Sequence, residues 1–450
     1  MNIKEKNFIV AGLGKSGIGA ANLLEQCNAE YVLFDENKDA DISRMKDNLI
    51  NKEAKIVLGD MDANLTDWAD IMVISPGIPV DAPFVNKVRK EGVTIWGEVE
   101  LAYVCAKGKL AAITGTNGKT TTTALVGEIL GNYFESAFVV GNIGIPYTSV
   151  ALDMKEESVT VAEISSFQLE TVDTFHPAVS AVLNITPDHL NRHYTMENYA
   201  NVKMSIAKNQ TADEVCVLNY EDEYIKSMAE KIPARIVWFS SKEKLDGGIY
   251  LENEEIIWNV DGTNTSLMNI HDMKLVGIHN VENVMAAIGI AYFMGVPMDV
   301  IIRTVKQFRA VAHRIEYVTT KNGVVFYNDS KGTNTDASTK AIEAMPKKTI
   351  LIAGGYDKGV SFDEWVDSFG DKVKALVLLG NTKNKIKEAA EKKGFTNIHI
   401  VESLKDAVDV SYELAAEGEV VLLSPACASW DMFKSYEQRG DLFKEYVNQL

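Results

Sequence analysis

The chain has 450 residues, and 63 acidic against 45 basic side chains give a formal net charge of −18. That balance argues against a nucleic-acid-binding protein, which carries a basic face. Roughly 150 residues per domain predicts about three domains. No apolar run reaches the ~18–20 residues that span a bilayer, so no membrane insertion is expected. The N-terminus runs from Met1 straight into the strand-like Asn7–Ala11 without an apolar leader, which predicts no signal peptide and a cytoplasmic chain. The four cysteines, Cys27, Cys105, Cys216 and Cys427, are scattered and form no CxxC pair, which argues against a zinc site or a disulfide framework.

In chain order, short apolar runs alternate with amphipathic helical stretches, the pattern of parallel α/β structure. Strands are predicted at 8–11, 31–34, 71–74, 110–114, 160–162, 179–183, 215–218, 236–239, 324–327, 349–353, 375–379 and 420–423. Residues 246–274 alternate as an antiparallel segment does and predict a small sheet attached to the middle of the chain. Boundaries are expected near residues 97 and 310. They give an N-terminal Rossmann-like domain (1–97), a central P-loop-type α/β domain (98–310) and a C-terminal Rossmann-like α/β domain (311–450).

Two loops carry phosphate-binding character. Gly12-Leu-Gly14-Lys15-Ser16-Gly17 is a GxGxxG between a strand and a helix, and Asp35 ends the next strand where a ribose hydroxyl would lie. Alone, this pattern reads as a dinucleotide site or as a site for another nucleotide diphosphate. Thr114-Gly115-Thr116-Asn117-Gly118-Lys119-Thr120 is the end of a P-loop with Ile113 at the first glycine position. Its amides would cradle phosphates, Lys119 would reach β/γ oxygens and the Thr120 hydroxyl a Mg²⁺ ion. A dehydrogenase has no use for this second loop, and a nucleotide-binding scaffold would hydrolyse ATP slowly whatever else were present. Two anion sites suggest one nucleotide as energy source and another as substrate handle.

The loop 114–120 resembles the ATP loop of the Mur ligases. The likeness continues through Gly141-Asn142-Ile-Gly-Ile-Pro146, Glu163-Ile-Ser165-Ser-Phe-Gln168-Leu-Glu170 and Asn184-Ile-Thr-Pro-Asp-His189-Leu-Asn-Arg192. Further on stand Lys203, His279–Asn283, His313-Arg314-Ile-Glu316, Asn328–Asn334, Gly354–Lys358, Ser424–Ser429 and Glu437–Gly440. Together with Ser75-Pro76-Gly77-Ile78, the set resembles the D-glutamate-adding branch of that family, whose siblings add other amino acids. The resemblance implies an ATP-dependent amide ligase with UDP-N-acetylmuramoyl-L-alanine, D-glutamate and ATP as substrates. It implies two Mg²⁺ ions, a CO₂-derived carbamate on Lys203 and a monomer.

The resemblance also implies roles by position. Lys119, Glu163, His189, Lys203 and Arg314 would be catalytic, and Thr120, Glu163, His189 and carbamylated Lys203 would hold metal. ATP would meet Gly115–Thr121, Asn142, Asn283, Arg314, Asp329 and Lys331. The UDP substrate would meet Gly14, Lys15, Ser16, Asp35, Glu36, Ser75, Pro76, Gly77, Asn142, Ser165, Gln168 and His189. D-Glutamate would meet Lys331, Thr333, Lys358, Ser429, Trp430 and Tyr436. Trp430 and Tyr436 stand where Leu and Phe are expected, and Asn191 where the family often has Asp. Read without the family, Ser165 and Gln168 form a helix capping box, and Glu163 ends a strand where it can face a crevice.

Overall fold

The computed structural model describes residues 2–309 and 311–450; Ala310, the last residue of the expected central domain, lies outside them. Among the described residues, twenty strands form three sheets. The first holds β1 (Asn7–Ala11), β2 (Glu30–Asp35), β3 (Ile56–Leu58), β4 (Ile71–Ile74) and β5 (Thr94–Gly97). All its pairings are parallel, in the order β3-β2-β1-β4-β5. The strand order reverses at β1, so the crevice beyond its C-terminal end is where a doubly wound sheet takes a ligand. The loop Gly12–Gly17 lies there.

The second sheet holds β6 (Lys109–Thr114), β7 (Ala137–Gly141), β8 (Val159–Glu163), β9 (Val179–Val182), β10 (Val215–Asn219) and β11 (Arg235–Ser240). It continues through β12 (Gly248–Glu252), β13 (Glu255–Trp258) and β14 (Thr265–Asn269). The order is β14-β13-β12-β11-β10-β9-β6-β8-β7. The antiparallel strands expected within 246–274 form, but not as a separate sheet. β12 pairs parallel with β11, and β13 then turns back against β12, so the segment extends the edge of the large sheet. Sequence alternation reports the antiparallel turn and is blind to the strand that adopts it.

The third sheet holds β15 (Glu316–Lys321), β16 (Val324–Asn328), β17 (Thr349–Ala353), β18 (Val373–Leu378), β19 (Ile398–Ile400) and β20 (Val420–Leu423), in the order β15-β16-β20-β17-β18-β19. It belongs to a compact unit of residues 269–282 and 306–450. The first two sheets, apart from Asn269 at the end of β14, belong to the other unit, residues 1–268 and 283–305. Every residue of β4, β8, β9, β17 and β20 is buried, as Val/Ile/Leu-rich strands covered by helices on both faces must be.

Helix packing explains two local choices. In Lys15–Gln26 the buried face includes Gly17, Ala20, Ala21, Leu23 and Leu24. A β-carbon at Gly17 would stand 1.8 Å from the Gly12 carbonyl oxygen, so this turn closes only with glycine. The four cysteines are free, but the fold brings the Cys27 and Cys105 sulfurs to 3.8 Å, across 78 residues that gave no sequence signal. No helix among the described residues is long and apolar enough to cross a membrane.

Candidate active site

The second phosphate loop is built by β6 and the helix Lys119–Gly131 that follows it. Gly118 caps that helix with φ +83°, and a β-carbon there would stand 2.2 Å from Asn283 Oδ1. The loop is held from outside by the segment after β9. Asn117 N donates to Asn184 Oδ1 at 2.8 Å, Asn184 Nδ2 donates to the Asn117 carbonyl at 3.1 Å, and Thr116 N donates to the Asn184 carbonyl at 2.9 Å. Asn184 was visible in the sequence only as part of a motif without a role. Lys119 folds back to donate to the carbonyls of Gly115 (2.8 Å) and Thr116 (2.9 Å).

Glu163 is the last residue of β8 and is 1% exposed. Its Oε1 accepts from Asn142 Nδ2 at 2.8 Å, while Oε2 is buried with no hydrogen-bond partner. Asn142, expected to approach nucleotide, therefore also orients Glu163. Lys203 is 1% exposed and lies on the helix Met196–Met204. Its Nζ donates to the Gly115 carbonyl at 2.8 Å and sits 4.6 Å from the centre of the Tyr199 ring. Burial, reinforced by the charge of Lys119, pulls its pKa well below the ordinary lysine value. His189 takes a left-handed conformation (φ +52°), half-exposed, with its ring 4.9 Å from that of Phe167.

Both phosphate loops open on one cleft of about 830 Å³. Of the residues expected at the UDP substrate, Gly14, Lys15, Ser16, Asp35, Ser75, Pro76, Gly77, Asn142, Ser165, Gln168 and His189 line it. Glu36 is exposed and lies off the lining. Thr116, Lys119 and Lys203 line the same cleft, whereas Gly115, Asn117, Gly118, Thr120, Thr121, Glu163 and Asn283 lie off its lining. Asp35 accepts from Leu13 N (3.3 Å) and Asn37 N (2.9 Å), fixing the first loop. The expected capping box is present, with Gln168 Oε1 accepting from Ser165 N at 2.9 Å.

Arg192 received no role from the sequence, yet it joins three pieces of the wall. Its Nε and Nη2 donate to Glu170 (3.1 and 2.6 Å to Oε2), Nη2 donates to the Ile78 carbonyl at 2.8 Å, and its guanidinium lies 5.1 Å from the Phe167 ring centre. Next to it His193 is buried, and burial lowers its pKa to about 4, so it stays neutral. Only a planar fork makes these bonds together. Arg192→Lys is expected to raise the KM for the ligand of the first loop about tenfold through release of the Ser75–Ile78 turn. Steady-state kinetics that find this KM unchanged would refute the clamp.

The C-terminal unit collects the remaining predicted residues. Asp329 follows β16, is 5% exposed, and accepts from Ser424 Oγ at 2.7 Å and Ile315 N at 3.3 Å. Burial raises its pKa to about 7 against the opposing pull of Ser424 and Arg314. Lys331 Nζ lies 5.3 Å from the Tyr436 ring centre. Thr333 and Lys358 line a small cavity of about 40 Å³ with Tyr356, Phe362 and Cys427. Lys358 Nζ donates to the Thr333 carbonyl at 3.3 Å and lies 6.0 Å from the Trp430 ring. Ser429, buried with an unpartnered hydroxyl, Trp430 and Tyr436 lie off that lining. Arg439 was quoted in a motif but given no role, although it ties the loop at Ser330 to the loop at Cys427.

An α/β chain with a P-loop-type site and a Rossmann-type site on one cleft, and a third sheet carrying a separate set of cations, has the construction of an ATP-dependent ligase. Known proteins agree. Residues 6–97 match the Mur ligase MurD-like N-terminal domain, 113–291 the Mur ligase middle domain and 313–427 the Mur ligase glutamate ligase domain. A UDP-N-acetylmuramoylalanine–D-glutamate ligase of Lachnospira eligens is 55% identical over 451 residues, covering all of both chains. The proteins of that name from Lachnoclostridium phytofermentans and Clostridioides difficile are 53% and 46% identical, covering all of this chain and 99% and 100% of theirs. The chain belongs to the Mur ligase family. The fold is shared with the ADP complex of a MurF ligase from Thermotoga maritima, with TM-score 0.60, 18% identity and coverage of 98% of this chain and 95% of that one.

Proposed function

We infer that this chain is an ATP-dependent ligase that joins D-glutamate to UDP-N-acetylmuramoyl-L-alanine in peptidoglycan precursor synthesis. The observation that carries the reading is the convergence of the loops Gly12–Gly17 and Thr114–Thr120 on one cleft, with Lys119 and Lys203 on its wall. The first loop with Asp35 and Ser75–Gly77 suits the UDP handle, and the second suits ATP. The division of labour follows domains 1–97, 98–310 and 311–450.

A carboxylate is a poor acceptor for an amine. Phosphorylation by ATP turns it into an acyl phosphate, which the D-glutamate amine attacks with loss of phosphate. Lys119 leaves the carbonyls of Gly115 and Thr116 to bind the transferring phosphoryl group, where a fixed cation offsets the developing charge. Walls that exclude water protect the acyl phosphate from hydrolysis. In the C-terminal unit, Lys358 reads the side-chain carboxylate of D-glutamate, with Lys331, Thr333, Ser429, Trp430 and Tyr436 around it.

Family membership implies ATP use, generally with Mg²⁺. The buried, unpartnered Oε2 of Glu163 fits such an ion, as does His189 on its exposed turn. Among the described residues no three His, Cys, Asp or Glu side chains converge; the residues that would hold the metal are Glu163, His189, Thr120 and a carbamate on Lys203. When bound, Mg²⁺ supplies charge neutralisation and alignment of phosphate oxygens. A carbamate requires a neutral amine, and the depressed pKa of buried Lys203 supports that chemistry.

The test is phosphate release from ATP with UDP-N-acetylmuramoyl-L-alanine, comparing D-glutamate with L-glutamate, L-alanine and diaminopimelate. Release is expected only with D-glutamate. Release indifferent to the amino acid would sink the reading.

A further inference from the structure

Glu98 opens the helix Glu98–Cys105 immediately after β5 and lines the cleft, yet no role attaches to it from either phosphate loop. It is 8% exposed. Its Oε1 accepts from Gln168 Nε2 at 3.0 Å, and Gln168 is in turn held by Ser165, whose N and Oγ both donate to Gln168 Oε1. That chain fixes both the position of the Glu98 carboxylate and the direction of the Gln168 amide. The second oxygen, Oε2, is buried without a hydrogen-bond partner. A buried carboxylate oxygen left without a donor is costly, so its place on a ligand cleft calls for a donor from the ligand.

The other carboxylates on the lining are engaged. Asp35 accepts from two backbone amides, and Asp188 accepts from His189 N at 2.9 Å. Among the other polar groups of the wall, the cations Lys15 and Lys119 and the glycine-rich backbones are donors. They suit the phosphates and carboxylate of the acyl substrate. A carboxylate suits neither, because like charges repel. It suits the neutral part of the substrate between its charged ends.

We propose that Glu98 is a substrate-binding residue whose Oε2 accepts a hydrogen bond from an amide N–H of the UDP-linked acyl substrate. The assignment rests on the ligase reading above. Two amides of that substrate can supply the donor, the acetamido group of the sugar and the amide that joins the alanyl residue. Either places Glu98 as a selector for an acyl-amino sugar over a plain nucleotide sugar.

Glu98→Gln isolates the claim. The new side chain keeps an oxygen for Gln168 Nε2 and replaces the unpartnered Oε2 with an NH₂, so the internal contact survives and that position changes from acceptor to donor. The expected result is a KM for the UDP substrate raised about tenfold or more, with the KM values for ATP and D-glutamate and the melting temperature unchanged. An unchanged KM for the UDP substrate overturns the proposal, and so does an equal rise for ATP. A second arm needs no variant. UDP substrates with oxygen in place of the acetamido N–H, or in place of the alanyl N–H, are titrated into the wild-type enzyme. One of the two is expected to bind about tenfold more weakly, and that one is expected to lose little further affinity in Glu98→Gln, the non-additivity of a direct contact. If both bind wild type as the parent does, Glu98 has no such partner. Failure of the ligase reading itself gives a different signature, phosphate release in wild type that ignores D-glutamate.

Discussion

Lys203→Ala is expected to lower turnover on the order of 10²–10³-fold, the scale on which removal of one charge-stabilising group acts in a water-poor site. The argument begins with burial. A lysine 1% exposed, whose Nζ has a carbonyl 2.8 Å away and an aromatic face 4.6 Å away, has no carboxylate among these contacts. Desolvation and the nearby Lys119 both disfavour its cationic form. The amine is therefore available to add to CO₂, losing a proton and gaining a carboxylate at its tip. Carbamylation would turn the neutral amine into a −1 carbamate and place a hard oxygen ligand on the cleft wall. The variant loses that oxygen and leaves a gap the length of the side chain. Short carboxylic acids such as formate, acetate and propionate are expected to enter the gap and restore part of the rate. Wild-type enzyme equilibrated with ¹³C-labelled CO₂ is expected to show a carbamate resonance that Lys203→Ala lacks. Full activity in the variant would falsify the role, and a folded but inactive variant that no carboxylate rescues would reduce Lys203 to a packing residue.

What was legible in the sequence follows the range of the interaction. The strands at 71–74, 349–353 and 420–423 were read to the residue because each is a short Val/Ile/Leu run buried on both faces. β7, β15 and β19 carry mixed or partly exposed side chains and were not anticipated. The phosphate loops were legible because glycine spacing is a local consequence of backbone geometry. Asn184, Arg192 and Glu98 were not, since their partners lie 67, 114 and 70 residues away and their residue types are ordinary for loops and helix ends. Glu163 was visible as a strand-end carboxylate; that Asn142 orients it needed coordinates. Lys203 stood in an unremarkable helical stretch, and only the resemblance raised it above a solvated lysine.

Arg439→Met is expected to destabilise the C-terminal unit by about 2–6 kcal/mol, the cost of leaving two buried carbonyls without donors. Arg439 is 2% exposed, and burial lowers its pKa to about 10, so it remains charged at neutral pH. Its fork meets backbone rather than a carboxylate. Nε donates to Ser330 Oγ at 3.0 Å, Nη2 to the Ser330 carbonyl at 2.8 Å, and Nη1 and Nη2 each to the Cys427 carbonyl at 3.2 Å. Ser330 Oγ donates onward to the Tyr436 carbonyl at 2.8 Å. The two loops so joined follow β16 and β20, and they carry Asp329, Lys331 and Thr333 on one side and Ser429 and Trp430 on the other. Methionine fills similar volume but leaves the carbonyls of Ser330 and Cys427 buried without donors, and each such group costs about 1–3 kcal/mol. Lysine cannot substitute, because one ammonium cannot span both loops in a plane. Urea unfolding of the full chain should therefore show the C-terminal transition moving to lower urea in Arg439→Met and Arg439→Lys alike. At urea concentrations well below that transition, the KM for D-glutamate should rise in both. An unfolding curve within about 0.5 kcal/mol of wild type, the usual range for a surface substitution, would show that the two loops hold their positions without the guanidinium.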